Sequence, residues 1–202
     1  MMTSVNVSSV ENKVQPFVVG DFATDGTCLG SGQFGNVLLG QRITDGTLVA
    51  MKVIKQDAIE RSNAPNALRK QLQREQDILL KSRDIQNVVH VHAILNHPIT
   101  NEVVIVMEYC DGGDLESWIT RIKRLAPNAL NEDNARYFIS QIARALAQLS
   151  ILGILHRDLK VGCLLLYFCV FDLITPLFLH TTACEYFIEK SSSSCAQCRQ
   201  KK

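Results

Sequence analysis

The chain has 202 residues, of which 47% are hydrophobic, and its formal net charge is +1. This apolar content suffices for the core of one large domain or of two small ones. A nearly neutral chain without a basic stripe gives no electrostatic reason to expect a nucleic-acid partner. Residues 1–20 lack the basic start and apolar run of a secretory signal, and the odd cysteine count opposes a closed disulfide framework, so we expect a cytoplasmic location.

Residues 1–16 are polar and aperiodic, and we predict that they form a flexible leader. From residue 17 onward, short apolar runs alternate with turn residues, which is typical of an antiparallel sheet. Residues 30–37 in this region read G-x-G-x-x-G-x-V, and glycines at this spacing let backbone amides approach phosphate oxygens. A dinucleotide-binding fold shares the spacing but opens a helix at the third glycine. Here a strand and a hairpin follow Gly35, which favours a phosphate loop carried by the sheet.

The next strand ends in V-A-M-K at residues 49–52, and a long helix follows the loop at 62–66. Lys52 could be a surface lysine at a strand end or a phosphate ligand beside the glycines. One face of the predicted helix combines four apolar residues with one acid: Leu68, Leu72, Glu75, Ile78 and Leu79. An acid on an apolar face needs a buried partner. Lys52 is the candidate partner of Glu75, and the alternative is a carboxylate at the edge of the face.

Strands predicted at 88–95 and 103–107 lead into E-Y-C-D-G-G-D-L at residues 108–115, where Asp114 is expected to cap a helix. A second long helix is predicted to open at Asn131 with acids in its first turn and to end at Gly153. Its apolar stripe consists of Ala135, Phe138, Ile139, Ile142, Leu146 and Leu149. This helix leads directly into H-R-D-L-K at residues 156–160.

These segments, in this order and at these spacings, resemble the eukaryotic protein kinase family of the serine/threonine type, and loosely its NIMA-related and autophagy-initiating members. The resemblance implies an α+β, protein-kinase-like fold. Its N-lobe, at 17–107, would be an antiparallel β-sheet with one regulatory helix, and the hinge and an incomplete helical C-lobe would follow at 108–160. It also implies transfer of the γ-phosphate of ATP to Ser or Thr hydroxyls, with a protein substrate or a regulatory protein as partner.

The same resemblance assigns a role to individual residues. Lys52 and Glu75 would orient the phosphates, because the family pairs this lysine with a helix glutamate. Asp158 would accept the proton of the substrate hydroxyl, and Lys160 would hold the γ-phosphate. Met107 would be the gatekeeper, and backbone groups of Glu108 and Cys110 would bind adenine. The nucleotide-binding set as a whole would be Leu29, Gly30, Ser31, Gly32, Gln33, Phe34, Gly35, Val37, Ala50, Lys52, Met107, Glu108 and Cys110.

The sequence departs from the family pattern after Lys160. The pattern H-R-D-L-K-x-x-N places a magnesium-binding Asn at position 163, where this chain has Cys163. No D-F-G or A-P-E motif follows, so we assign no metal ligand, although the intact family uses Mg²⁺. We therefore expect slow or absent phosphoryl transfer. The alternative functions are a non-catalytic nucleotide- or partner-binding module and an unstable product of intron retention or of a wrong gene model.

Residues 161–202 are predicted to be hydrophobic, Cys-rich material outside the family pattern. Twelve of the 19 residues at 161–179 are Phe, Leu, Ile or Val, whose codons carry T in the middle, and the codon of Val161 begins with GT. A translated intron explains both features, and a degenerate kinase paralogue is the second interpretation. A membrane anchor is disfavoured, because a central Asp172 would cost about 2.5–3.5 kcal/mol in a bilayer. The pair Cys195 and Cys198 is half of a zinc site and is interpreted as incidental.

Overall fold

The computed structural model describes residues 14–32, 35–126, 128, 131–156, 159–169, 172–181 and 188–189, with the backbone path alone at 167–169, 172–181 and 188–189. The chain divides into two compact units. The first, called the sheet unit, comprises Met1–Arg61 and Ala93–Tyr109. The second, called the helical unit, comprises Ser62–His92 and Cys110–Lys202.

The predicted division between residues 107 and 108 lies close to the break between the units, which follows Tyr109. Residues 62–92 depart from the predicted division, because they cluster with the helical unit. The physical reason is their packing: Ile78 and Val88 share a buried apolar cluster with the second long helix.

Among the described residues, seven strands form one sheet. They are β1 (Phe17–Val19), β2 (Phe22–Thr24), β3 (Cys28–Gly32), β4 (Gly35–Arg42), β5 (Leu48–Ile54), β6 (Val91–Asn96) and β7 (Val103–Glu108). Their spatial order is β1-β2-β4-β5-β7-β6, with β3 paired to β4. The pairings of β4 with its neighbours and of β5 with β7 are antiparallel, as predicted from the alternation of apolar runs and turns. A short helix α1 (Gln56–Glu60) follows β5.

The core of the sheet unit lies on one face of the sheet. Leu38, Met51 and Val106 are successive cross-strand partners on β4, β5 and β7, and each is 0% exposed. Directly opposed residues point to the same face, so this row defines the buried face. Val19 and Phe22 from the first hairpin pack on it, and each such apolar side chain contributes about 1.5–3 kcal/mol by leaving water.

The end of the predicted leader contacts this core. Val14 and Phe17 are partly buried and pack against the core cluster. The Val14 carbonyl lies where a Cβ at Gly26 would be, with its carbon 2.9 Å from that position. Gly26 also has φ of +85°, so both the turn conformation and the crossing chain require glycine there. The earlier part of the leader, 1–13, lies outside the described residues.

The helical unit contains α2 (Pro65–Ser82), α3 (Leu115–Leu125) and α4 (Glu132–Ile151). Pro65 occupies the first turn of α2, where its missing N–H has no partner to lose. Asp114 caps α3 as predicted, since its Oδ1 accepts the Ser117 N–H at 2.7 Å. Asn131 caps α4 in the same way, through the Asn134 N–H at 2.9 Å.

The buried face of α4 is rotated from the predicted stripe. Phe138 and Leu149 are buried as expected, but Ile139 is 64% exposed. Gln141 and Ala145 occupy the interior instead, at 7% and 0% exposure. Of the other predicted stripe residues, Ile142 and Leu146 are partly buried and Ala135 is exposed. The stripe prediction was therefore wrong in phase. The residues of α3 and of the β-strands that pack against α4 determine which side of this helix is buried.

The remaining strands of the helical unit are β8 (Gly113–Asp114), β9 (Ile154–Leu155), β10 (Leu164–Cys169), β11 (Asp172–Thr181) and β12 (Ile188–Glu189), with a 3₁₀ turn at Val161–Cys163 before β10. β10 lies between β11 and β8, and β12 pairs with β9. Over the described part of the chain, no helix has the length and apolar character needed to cross a bilayer. Cys184, Cys195 and Cys198 of the predicted tail lie outside the described residues.

Candidate functional site: a glycine-edged sheet face and a buried loop

Two rows of side chains lie on the face of the sheet opposite its core. The first row contains Val37, Lys52 and Ile105, and the second contains Leu39, Ala50 and Met107. Both rows cross β4, β5 and β7, and alternation along the strands places them away from the core row. Ala50 and Ile105 are buried at 8% and 0% exposure, whereas Lys52 and Met107 are half-buried. Five predicted nucleotide-binding positions therefore meet on one surface once Gly30, the partner of Val37, is included.

The edge of this surface is the β3–β4 hairpin. Gly30 pairs with Val37, which in turn pairs with Lys52. Cross-strand Cα atoms of antiparallel neighbours are about 4.5–5.5 Å apart, so Gly30 and Lys52 are separated by about 9–11 Å. An extended lysine side chain spans much of that distance. A phosphate lying under Gly30 can consequently be reached by the Lys52 ammonium group.

The other predicted loop residues follow from the same pairing. Ser31 is opposite Asn36, and Gly32 is opposite Gly35 at the closed end of the hairpin. The register shifts between Cys28 and Gly30, which leaves Leu29 out of the pairing and 41% exposed. Gln33 and Phe34, which lie between these two glycines in the sequence, are outside the described residues.

The glycine positions of the hairpin differ in how tightly the surrounding structure requires glycine. A Cβ at Gly35 would overlap the Val53 carbonyl oxygen and lie 3.3 Å from the Ile54 Cα, so packing against β5 demands glycine. A Cβ at Gly30 would meet no described atom within 4 Å, and one at Gly32 only an oxygen at 3.9 Å. Neither Gly30 nor Gly32 has a positive φ. Among the described residues, neither packing nor a positive φ requires these two glycines, so the hairpin backbone there leaves room for a group that approaches from outside.

The predicted adenine-binding positions fall at the end of β7 and just after it. Glu108, half-buried, ends β7 in the sheet unit, opposite Val49. Cys110 belongs to the helical unit and is 7% exposed. Its carbonyl accepts the Gly113 N–H at 3.4 Å, and Gly112 donates its N–H to the Leu166 carbonyl at 2.8 Å. The chain after Cys110 is thus fixed to β10.

Glu75 lies on the apolar face of α2, as predicted. It is 5% exposed and sits among Leu72, Ile78 and Leu79, which are exposed by 6% or less. A carboxylate buried to this degree requires compensation by a partner. Lys52 belongs to the other unit, so the pairing of these two residues stays a prediction.

The H-R-D-L-K segment begins inside the helical unit. His156 is 4% exposed and follows β9, whose Ile154 packs with α2 and α4. Asp158 lies outside the described residues. Lys160 is exposed, and its carbonyl accepts the Cys163 N–H at 2.9 Å, which closes the 3₁₀ turn before β10.

The residue at the predicted metal position does not suit magnesium. Cys163 is 2% exposed, and its side chain carries a thiol. Mg²⁺ demands hard oxygen ligands in near-octahedral geometry, and a thiol is a soft ligand that selects other metals. Among the described residues, no group of three or more His, Cys, Asp or Glu side chains is placed to hold a metal ion. Position 163 therefore does not fit the Mg²⁺ that the resemblance implies.

Known proteins share the order and geometry of these elements. The family model described as the protein kinase domain matches residues 23–168. The chain belongs to the protein kinase family. The match confirms the predicted family and extends beyond Lys160, through all but the last residue of β10.

Curated relatives of this kinase domain are kinases by name, and several are named serine/threonine kinases. NUAK family SNF1-like kinase 2 of Rattus norvegicus is 38% identical over 144 residues, which are 68% of this chain and 20% of the relative. Serine/threonine-protein kinase ATG1b of Arabidopsis thaliana is 35% identical over 149 residues, or 74% of this chain and 19% of the relative. Serine/threonine-protein kinase TOS3 of Saccharomyces cerevisiae is 33% identical over 144 residues, or 68% of this chain and 25% of the relative. The kinase domain thus spans a quarter or less of the length of these relatives.

A solved structure confirms the predicted α+β kinase fold. The crystal structure of Rad53 1–466 in complex with AMP-PNP superposes with a TM-score of 0.65 at 25% identity. The superposition covers 80% of this chain and 38% of that one. The antiparallel sheet and the helices of this kinase domain therefore follow the family architecture over most of the chain.

Two features of the kinase domain were missed by sequence reasoning. Ile105 stands directly beside Lys52 and is 0% exposed; the alternation of residues 103–108 was the available signal. The close approach of Gly112 to Leu166 had no local signal, because it joins segments that are distant in sequence.

Proposed function

We propose that this chain is a nucleotide-binding serine/threonine kinase domain that holds ATP on the sheet unit and transfers its γ-phosphate poorly. The observation that carries the proposal is that Gly30 and Gly32 are required neither by packing nor by φ, while Lys52 lies two strands away on the same face. The similar Rad53 structure is a complex with AMP-PNP, which supports an adenine nucleotide as the ligand.

The proposed roles follow the family resemblance position by position. Lys52 contacts the phosphates and Glu75 orients it; Asp158 accepts the hydroxyl proton and Lys160 steadies the transferred group. The surface under the nucleotide base and sugar is formed by Val37, Ala50 and Met107, with backbone groups of Glu108 and Cys110 as hydrogen-bond partners. A protein with an accessible Ser or Thr hydroxyl is the proposed substrate or partner.

Poor transfer is proposed because the metal positions are not filled by suitable residues. Preorganised charge on the phosphates supplies most of the acceleration in this reaction. The buried thiol of Cys163 replaces the expected Asn, and the sequence has no D-F-G motif. Lys52 and Lys160 can bind phosphate without a metal, so binding can survive where catalysis does not.

The second candidate is a non-catalytic module that binds a nucleotide or a protein partner. The burial of Cys163 at the metal position favours it. The third alternative, an unstable product, predicts that the purified chain is insoluble or unfolded. The odd cysteine count of seven supports our proposal of a reducing, cytoplasmic location.

Nucleotide binding tests the first part of the proposal. We expect a fluorescent ATP analogue to bind the 202-residue chain, and Lys52→Ala to weaken binding by roughly 10- to 100-fold, since a charge-assisted hydrogen bond is lost. Lys55→Ala is the matched control, because Lys55 is exposed and lies beyond the end of β5. Equal affinity of the unchanged chain and both variants would show that the sheet face is not the nucleotide site.

Phosphoryl transfer tests the second part. With a generic Ser/Thr substrate and radiolabelled ATP, we expect transfer close to background with or without Mg²⁺. Robust Mg²⁺-dependent transfer that is lost in Asp158→Ala would show that the chain is an active kinase. That result would leave the nucleotide site intact and overturn only the proposed low activity.

A further inference from the structure

The turn between β6 and β7 is built around a histidine nitrogen that accepts hydrogen bonds. The Ile99 N–H and the Thr100 N–H both donate to Nδ1 of His97, at 3.3 and 3.1 Å. The backbone N–H of His97 donates to the Glu102 carbonyl at 2.7 Å, and the backbone N–H of Asn101 donates to the His97 carbonyl at 3.0 Å. Asn101 has φ of +57°, a conformation that asparagine tolerates better than most residues. These contacts close residues 97–102 into one turn.

This arrangement fixes the protonation state of the ring. A nitrogen that accepts two N–H groups carries no proton of its own, and a neutral imidazole has one donor and one acceptor nitrogen. The proton of His97 is therefore on Nε2. A second proton would enter at Nδ1 and set an N–H against two backbone N–H groups. Both hydrogen bonds would then be lost together.

The surroundings of the ring offer little compensation for a positive charge. The Phe17 ring of β1 stands edge-to-face to it, at 4.4 Å between centroids and an interplanar angle of 62°. β1 consists of Phe and Val residues and brings no charged side chain. Within 97–102 the acidic side chain is Glu102, and its carboxylate accepts the Thr100 hydroxyl at 2.8 Å.

The turn is also a point of attachment for the start of the chain. Phe17 and Val14 are partly buried against the sheet core, and the Val14 carbonyl lies across Gly26. The His97 ring consequently contacts the segment that runs over the sheet, while its Nδ1 organises the turn between β6 and β7.

We propose that residues 97–102 form a proton-sensitive latch for strand β1. Neutral His97 closes the turn and holds Phe17 in place, and protonation opens the turn and releases that contact. The closed form requires the unprotonated nitrogen, so the latch is closed at high pH. It opens when the ring takes up a second proton, so acidification favours the open form.

The first test needs no variant. In the ¹⁵N-labelled 202-residue chain at pH 7.5, Nδ1 of His97 should resonate as an unprotonated ring nitrogen. The exchange rates of the Ile99 and Thr100 amides, normalised for intrinsic pH dependence, should rise by about fivefold or more between pH 7.5 and pH 5.5, as expected for a lost hydrogen bond. A protonated Nδ1 at pH 7.5, or equal protection at both pH values, would overturn the latch.

Two variants separate titration from structure. His97→Asn keeps an acceptor on Cγ and suits this type of turn, so both amides should stay protected at both pH values. His97→Phe keeps a ring against Phe17 but has no acceptor, so both amides should exchange fast at both pH values. His90→Asn is the control, because His90 Nδ1 donates to the Arg83 carbonyl at 2.7 Å, and it should leave the response of the turn unchanged. Acid-induced loss of protection in His97→Asn, equal to that of the unchanged chain, would refute the proposal even if His97→Phe failed to fold.

Discussion

Substituting the hairpin glycines one at a time separates glycine needed for folding from glycine needed for a ligand. Gly30→Ala adds a methyl group where no described atom lies within 4 Å. Alanine at a compatible position restricts the unfolded chain, and we expect the stability to stay unchanged or to rise by about 0.4–1 kcal/mol. Gly35→Ala forces a methyl group onto the Val53 carbonyl. Overpacking of this kind costs about 1–3 kcal/mol, and the rigid β5 backbone places the cost toward the upper end.

The effect of these substitutions on nucleotide affinity should differ from their effect on stability, because Gly30→Ala should lose affinity without losing stability. Gly30→Ala puts its methyl group where a phosphate would approach the backbone, so binding of the ATP analogue should fall while the fold is retained. Urea unfolding followed by far-UV circular dichroism measures the stability, and amide exchange in β5 assigns the change to the sheet unit. If Gly30→Ala destabilised the sheet as much as Gly35→Ala, or bound nucleotide like the unchanged chain, the ligand-based reason for Gly30 would be wrong.

Three further predictions concern the helical unit. Gly112→Ala should destabilise this unit by about 1–3 kcal/mol, because the new Cβ would lie 2.5 Å from the Leu166 carbonyl oxygen. Unfolding monitored by the fluorescence of the single tryptophan measures the change, and an unchanged unfolding midpoint would contradict the prediction. Ile139→Ser should change stability by no more than about 0.5 kcal/mol, because the side chain is 64% exposed. Phe138→Ala should cost about 3–5 kcal/mol. Thermal unfolding of these two variants tests which face of α4 is buried. Sequencing of the mature transcript should show no splice junction between codons 160 and 168, and a transcript that is spliced at codon 161 would refute this.

Local signals explain which parts of the fold could be predicted. The strand and hairpin after Gly35 and the cap at Asp114 depend on a few neighbouring residues, and the structure contains both as expected. The phase of α4 could not be read from its own sequence, because Gln141 is polar and Ala145 is small, yet both are buried. Their burial depends on which elements cover the helix, and a hydrophobicity pattern has no information about that.

The candidate site shows the same limit. The strands that carry Gly30, Val37 and Lys52 were expected from the sequence, whereas the register that aligns these three residues is seen in the structure. The pairing of Lys52 with Glu75 joins residues of different units, and no local rule determines it. The nucleotide-binding residues and the acid–lysine pair were both assigned by family resemblance, and both assignments stay predictions.

The strand after the H-R-D-L-K segment bears on the origin of the last 42 residues, 161–202. Leu164 and Leu166 are 3% and 0% exposed and pack with Trp118 in the core of the helical unit. Residues 164–166 are three consecutive leucines, and an unrelated sequence that began at Val161 would have no physical reason to fit this core and to pair with β8. The family match through residue 168 agrees with this packing. Cys163 is then a substitution in the 3₁₀ turn that leads into a retained kinase strand, which favours the degenerate paralogue over a translated intron as the source of residues 161–168.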